Sequence, residues 1–117
     1  MNTSKNKVQL VGNIGMPPEI KDFQNGRKVA RFTIATHEWY RNAAGENVQN
    51  TYWFIIVAWN KMADYARGLH KGLEIAVDGK LVSRNYIDKK GEKRTITEVV
   101  ASELLILENK AKERDTE

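Results

Sequence analysis

The most informative side chains of this 117-residue sequence are aromatic and basic residues that alternate along its middle part. The aromatic positions are Trp39, Tyr40, Trp53, Trp59 and Tyr86. Basic residues lie close to them in sequence, namely Arg31, Arg41, Lys61, Lys80 and Arg84. Flat rings stack on nucleobases of any identity, and Lys and Arg neutralise phosphates. The pattern therefore predicts sequence-tolerant binding of a single-stranded nucleic acid.

The competing interpretation places these rings in a hydrophobic core. A single Trp in a strand is more often buried than exposed, by roughly two to one. The sequence has three Trp and four Tyr, however, and a small barrel cannot enclose all of them. We therefore expect some of the rings to lie on the surface beside the cations.

Catalytic and metal chemistry find little support. The sequence has no Cys, and its two His, at positions 37 and 70, are far apart. Phosphate-binding motifs of the G-x-x-x-x-G-K-[ST] and G-x-G-x-x-G types are absent, and no Ser has the sequence context of a nucleophile elbow. We expect a protein that is not an enzyme and has neither a cofactor nor a metal ion.

Composition and charge narrow the class of partner. With 41% hydrophobic and 29% charged residues, the chain has the composition of one globular domain. The net charge of +4 favours polyanionic partners, although a charge this small is also found on ordinary solvated surfaces. No apolar stretch is long enough to span a bilayer and the N-terminus does not resemble a signal peptide, so we expect a cytoplasmic protein with no membrane contact.

Three strands are predicted in the first half of the chain, over residues 7–14, 27–39 and 51–59. Asn25 and Gly26, before the second strand, form the strongest hairpin-turn signal. Residues 42–49 lack apolar periodicity and predict a mobile loop. Both alternating sets of the third strand are apolar, so both of its faces should be covered.

One helix and two further strands complete the pattern. Asn60 is a good N-cap, and apolar residues at 62, 65, 66 and 69 predict about three helical turns with Tyr65 on the buried side. Strands follow over 73–87 and 95–107. Three strands, a helix and two strands indicate an all-β, five-stranded Greek-key OB-fold barrel over residues 1–107; SH3-like barrels lack the helix. The charged residues 108–117 are expected to be disordered.

Four short segments and one Trp form an ordered set of motifs. The segments are NKVQLVGNIG (6–15), FTIAT (32–36), DGKL (78–81) and TEVVA (97–101), and Trp53 lies between the second and the third. This set resembles the bacterial single-stranded DNA-binding (SSB) protein family. The resemblance runs from about residue 6 to residue 107. It implies an OB-fold homotetramer that wraps single-stranded DNA in replication, recombination and repair, in the cytoplasm and associated with the nucleoid.

The resemblance also implies site residues. Family base-stacking positions correspond to Tyr40, Trp53, Trp59 and Tyr86, and family basic contacts correspond to Lys7, Lys61, Lys71 and Arg84. The sequence departs from the family at Phe54 and Ile55, where a His-Arg pair is common. It also lacks the family's long Gly, Pro and Gln-rich tail with its acidic tip, so partner recruitment through such a tip is not expected.

The residues of the third strand bear on assembly. Tyr52, Phe54, Ile56 and Ala58 form a second apolar set that a monomeric barrel would leave partly exposed, which predicts a homo-oligomer, a tetramer first and a dimer second. Two alternatives stay open. One is a primosome-assembly-type OB-fold protein, and the other is an OB-fold protein-interaction module that does not bind DNA.

Overall fold

The computed structural model describes residues 5–107, so the expected disorder of residues 108–117 lies outside the described part of the chain. Within it, the chain forms six strands and one helix. In chain order these are β1 (Val8–Ile14), β2 (Glu19–Asp22), β3 (Lys28–Arg41), β4 (Asn47–Trp59), α1 (Lys61–Ala66), β5 (Glu74–Ile87) and β6 (Lys93–Ile106).

Five of the strands close into a barrel. The sheet order is β1-β5-β6-β4-β3-β2, and β1 also pairs with β3 through Ile14 and Ile34, which closes the ring. The pairing of β4 with β6 is parallel, and the other pairings are antiparallel. The short β2 pairs only along the outer edge of β3. A closed five-stranded barrel with one helix between β4 and β5 confirms the predicted OB-fold, and β2 is an addition that the sequence pattern did not reveal.

The core lies inside the barrel and under the helix. Its largest fully buried side chains are Phe32, Ile34, Ile56, Ile75, Val77 and Val99. Alternation along each strand sends these residues inward and their neighbours outward. Ala63 and Ala66 of α1 and the following Leu69 and Leu73 complete the same cluster at the barrel end.

The helix differs from its prediction in length and orientation. It has six residues, after which the chain continues in tighter i→i−3 turns to the buried Leu69. Asn60 has φ 57° and its side-chain oxygen accepts a hydrogen bond from the Lys28 N–H, rather than capping α1. Tyr65 is 43% exposed, because the helix turns the small Ala63 and Ala66 toward the barrel instead.

The apolar set on β4 that predicted oligomerisation faces the core. Phe54, Ile56 and Ala58 pair with Ile34, Phe32 and Ala30 of β3, and all of these residues belong to the core or pack against it. The prediction that Phe54, Ile56 and Ala58 leave apolar surface exposed on a monomeric barrel is therefore wrong, because barrel closure already covers this face. Tyr52 lies beyond the core and is exposed.

Two hairpins extend beyond the barrel. The β3–β4 ladder continues to the pair Arg41↔Asn47, so the predicted loop of 42–49 narrows to 42–46. The Asn42 side-chain oxygen accepts the N–H groups of Ala44 and Glu46 within this turn. The hydrogen bonds between paired strands are made by the backbone alone, so polar residues can pair as well as apolar ones. The strand extension therefore leaves no apolar periodicity in the sequence. The β5–β6 ladder similarly continues to Ile87↔Lys93.

Candidate nucleic-acid interface

Five predicted site residues share the outward face of the β3–β4 pair. We call them the outer stripe: Arg31, Trp39, Arg41, Trp53 and Trp59. In the register of β3 and β4, odd-numbered residues pair with odd-numbered residues, as in Val29↔Trp59, Ala35↔Trp53 and Trp39↔Gln49. Because paired residues and alternate residues of a strand share a face, all five side chains lie on the same side of the sheet. At about 3.3 Å per residue, Trp59 and Trp53 are about 20 Å apart along the strand, and Trp53 and Trp39 about 13 Å. The stripe is thus a long row of rings and cations.

The ring of Trp53 is accessible to solvent, and its position is defined by a contact with Gly15. It is 61% exposed, yet its six-membered ring lies against the backbone of Gly15. A Cβ atom built on Gly15 would lie 2.3 Å from Trp53 Cζ3. The absence of a side chain at Gly15 therefore allows the ring to rest there, with much of its surface left for another flat group.

Trp59 already has partners within the chain. The ring of Phe23 is stacked on it with 6.3 Å between centroids and 21° between planes, and Arg27 Cζ lies 4.8 Å from the Trp59 ring centroid. Trp59 is accordingly half-buried. Sequence reasoning missed Phe23 and Arg27, although both flank the predicted turn at Asn25 and Gly26, which folds them over the end of β4.

A groove of about 680 Å³ runs across the outer face beside Trp59. Ile20, Val29 and Val57 supply apolar lining, and Phe23 and Trp59 supply aromatic lining. Charged residues complete the lining, namely Glu19, Lys21, Arg31, Arg84 and Glu98. The groove therefore combines stacking surface with cations, which is the combination that single-stranded nucleic acids require.

Arg31 and Arg84, which we call the arginine pair, both bind the carboxylate of Glu98. Arg84 donates from Nε and Nη2 at 3.1 and 3.2 Å, and Arg31 donates from Nη2. The hydrogen bond to Glu98 raises the pKa of Arg84, whose guanidinium is charged in proteins in any case. Sequence reasoning missed Glu98, although a single acid within the apolar run of TEVVA is a usable signal, because buried charges in strands are paired.

The other predicted aromatic residues lie off the outer stripe. Tyr40 points to the reverse side of the β3–β4 hairpin, the same side as Tyr52 and Glu38, whose side chains are hydrogen-bonded at 3.1 Å. Tyr86 is exposed on the β5–β6 hairpin, two residues from Arg84. A single-stranded nucleic acid that passes over Trp53 would have to bend around the β3–β4 hairpin to reach Tyr40 on its other face.

The remaining predicted cations are exposed but dispersed. Lys7 and Lys80 flank the pair Val8↔Gly79 on β1 and β5. Lys61 is the first residue of α1, and Lys71 lies in the connection before β5. The structure places none of the four in the outer stripe.

Between residues 5 and 107 no group of three or more His, Cys, Asp or Glu is placed to hold a metal ion. No helix in that range is both long and apolar enough to cross a membrane.

Comparison with known proteins gives a consistent result. The model of the single-strand binding protein family matches residues 5–107. The chain is 38% identical over 104 residues to single-stranded DNA-binding protein 1 of Chlorobaculum tepidum, covering 87% of this chain and 64% of that protein. It is 37% identical over 105 residues to the single-stranded DNA-binding protein of Neisseria meningitidis serogroup A, covering 89% and 60%. The chain thus spans less than two thirds of the length of these curated relatives.

Solved structures resemble the fold closely. A Plasmodium falciparum SSB in complex with single-stranded DNA superposes with a TM-score of 0.80 at 34% identity, covering 92% of this chain and 99% of that one. A deletion mutant of the Thermus aquaticus single-stranded DNA-binding protein superposes with a TM-score of 0.78 at 23% identity, covering 91% and 52%, and supports the fold alone. From the family match and the relatives' identity, the chain belongs to the single-strand binding protein family.

Proposed function

We propose that this chain binds single-stranded DNA with little sequence preference and protects it during replication, recombination and repair. The observation that carries the proposal is the outer stripe, in which three Trp rings and two Arg lie on one face. Rings and cations of this kind contact base faces and phosphates instead of base edges, so they favour binding over catalysis and tolerate any sequence. The relatives' names and the DNA-bound Plasmodium falciparum neighbour support the same ligand.

The stacking role falls to Trp53 and Trp39 as open rings and to Trp59 as a ring already stacked on Phe23. Tyr40 and Tyr86 extend the path around the two hairpins. Phosphates are contacted by Arg31 and Arg41 of the outer stripe and by Arg84, the second member of the arginine pair. Lys7, Lys61, Lys71 and Lys80 add positive charge around the barrel.

Titration of the intrinsic Trp fluorescence with oligo-dT tests this function. We expect quenching, a linear fall of log K with log salt concentration, and affinity for oligo-dT at least equal to that for mixed sequence. Preference for duplex DNA or for one motif would contradict the proposal. Unchanged Trp fluorescence would instead favour a protein-interaction module.

We also propose a homo-oligomer, a tetramer first and a dimer second, in the cytoplasm and associated with the nucleoid. Apolar surface that supports association lies on the outer face of β1, β5 and β6, where Val11 and Leu105 flank Ala76. Val11 and Leu105 are both more than half exposed. Sedimentation equilibrium at micromolar concentration tests the assembly. A dimer would favour the primosome-assembly type, and a monomer would contradict oligomerisation.

A further inference from the structure

Glu98 is an acid within a groove that we propose binds a polyanion. It lies on the outward side of β6 and is only 4% exposed. Its carboxylate is contacted from two directions, by Arg84 of the neighbouring β5 and by Arg31 of β3. Because β4 lies between β3 and β6, the Arg31 side chain crosses β4 at its cross-strand partner Val57, which is buried.

The charge of Glu98 by itself opposes the proposed ligand. A carboxylate repels phosphates, and the groove would be more positive without it. Glu19 and Lys21, which also line the groove, cancel each other in charge. With Glu98 in place, the arginine pair and the carboxylate together carry a net +1. The presence of Glu98 therefore needs a role that charge does not supply.

Geometry supplies that role. A free Arg side chain has many rotamers, whereas a guanidinium held through two N–H groups by a carboxylate has a fixed plane and position. Arg84 gives Glu98 two of its five N–H donors, which leaves three for another acceptor. The side chains of Arg31 and Arg84 are still 37% and 48% exposed, so both reach solvent at the groove.

We propose that Glu98 is a positioning residue that holds the arginine pair as a fixed contact for the sugar-phosphate backbone of DNA. The inference rests on the proposed single-stranded DNA binding and adds how that site is organised. Fixing two guanidiniums before the ligand arrives removes the entropy cost of ordering them on binding. Trp59 and Phe23, in the same groove, then stack a base next to the phosphate that the pair holds.

The test compares Glu98→Gln and Glu98→Asp with the wild type and with Glu103→Gln. Glu103 is an exposed residue of the same strand, outside the groove lining, so Glu103→Gln is a matched control for loss of one negative charge. Binding of fluorescein-labelled oligo-dT is followed by anisotropy over a series of salt concentrations. Thermal melting by circular dichroism shows how far each variant is folded.

We expect Glu98→Gln to bind oligo-dT about tenfold more weakly, with the slope of log K against log salt reduced by about 1. Gln replaces one acceptor oxygen with an NH₂ donor, which cannot accept from a guanidinium. Glu98→Asp keeps the charge and the fold but shortens the reach, so it should also bind more weakly than the wild type. Arg84→Gln should cost little further affinity in the Glu98→Gln background, because the two residues act as one unit.

Several outcomes would overturn the inference. Tighter binding by Glu98→Gln would show that Glu98 acts only as a repelling charge. A lower melting temperature with unchanged affinity and salt slope would show that it acts only in stability, and wild-type affinity of Glu98→Asp would show that charge alone matters. If the wild type and Glu103→Gln fail to bind oligo-dT, the proposed function fails and takes this inference with it.

Discussion

Gly15 lies under the ring of Trp53, and a methyl group at this position should displace that ring. A Cβ atom on Gly15 would lie 2.3 Å from Trp53 Cζ3, 3.0 Å from Cη2 and 2.8 Å from Thr33 Oγ1. Ordinary carbon contacts are about 3.5–4.0 Å, so in Gly15→Ala the ring has to retreat by at least about 1.2 Å from the 2.3 Å position. Gly15 is not among the glycines with positive φ, so the substitution acts through this contact rather than through backbone strain.

The effect should fall on DNA affinity more than on folding. Trp53 is mostly exposed, so its ring can rotate toward solvent at a cost of up to about 1.5 kcal/mol for an unfavourable rotamer. A stacked base, by contrast, needs the ring in its place. Complete loss of one stacking platform costs about 1–3 kcal/mol, or about 5-fold to 150-fold in affinity, which bounds the expected weakening.

The assay is anisotropy of labelled oligo-dT with Gly15→Ala, Trp53→Ala and the double variant. If displacement of the ring is the cause, Gly15→Ala should cost almost nothing once the ring is gone, so the two losses will not add. Gly68→Ala is the matched control, because its Cβ would meet only the Tyr65 carbonyl oxygen at 3.9 Å. It should bind like the wild type, and circular dichroism melts check that each variant is folded.

Two results would refute this reasoning. Wild-type affinity for Gly15→Ala would show that the position of the Trp53 ring does not matter for binding. An equal loss from Gly15→Ala in the presence and absence of the Trp53 ring would assign the effect to Thr33 or to the backbone instead.

Three further predictions concern the ring stacked on Trp59, Tyr40 and the β5–β6 turn. Phe23→Ala removes the ring that is stacked on Trp59. It should lower the free energy of unfolding by about 0.5–1.5 kcal/mol beyond the loss of buried area, as measured by urea denaturation. Phe23→Leu, which keeps an apolar side chain without a ring, is the control. Tyr40→Ala should weaken binding only of oligonucleotides longer than about 16 nucleotides, since Tyr40 lies on the reverse side of its hairpin; an equal loss with short oligonucleotides would contradict this. Hydrogen bonds from Arg94 and from backbone N–H groups lower the pKa of Asp88 from its usual 3.8. The charged Asp88 carboxylate therefore stabilises the β5–β6 turn fully above pH 3.8, and this stabilisation is lost as the pH falls through the lowered pKa of Asp88. After division by the intrinsic exchange rate at each pH, we expect the protection of the turn amides to fall below pH 3.8 in the wild type and to stay unchanged in Asp88→Asn.

Local features of the sequence carried the prediction of the fold. Alternating apolar residues in segments 7–14 and 27–39 predict strands because the strand period of two must match one buried face. Asn25 and Gly26 predict the turn because Gly tolerates positive φ, and Gly26 has φ 84°. The surface location of some Trp rings followed from volume alone, since a small barrel cannot contain them.

The sequence could not show which of the two apolar faces of β4 points into the core. On β4 both alternating sets are apolar, so the pattern could not tell Phe54, Ile56 and Ala58, which face the core, from Trp53 and Val57, which face outward. Pairing with β3 and closure through β1 decide this orientation. A helix only six residues long likewise takes its orientation from the barrel end rather than from its own periodicity.

The arrangement of the candidate site is likewise decided by the tertiary structure, because it depends on how the strands pair and close into a barrel. Residue types alone indicated that the chain has rings and cations of the kind that suit bases and phosphates, and the family motifs indicated an OB-fold barrel. That Glu98 joins Arg31 to Arg84, and that Trp53 rests on Gly15, depends on strand register around a closed barrel. These contacts join positions 14 to 67 residues apart, and no local periodicity encodes a contact between strands so far apart in sequence.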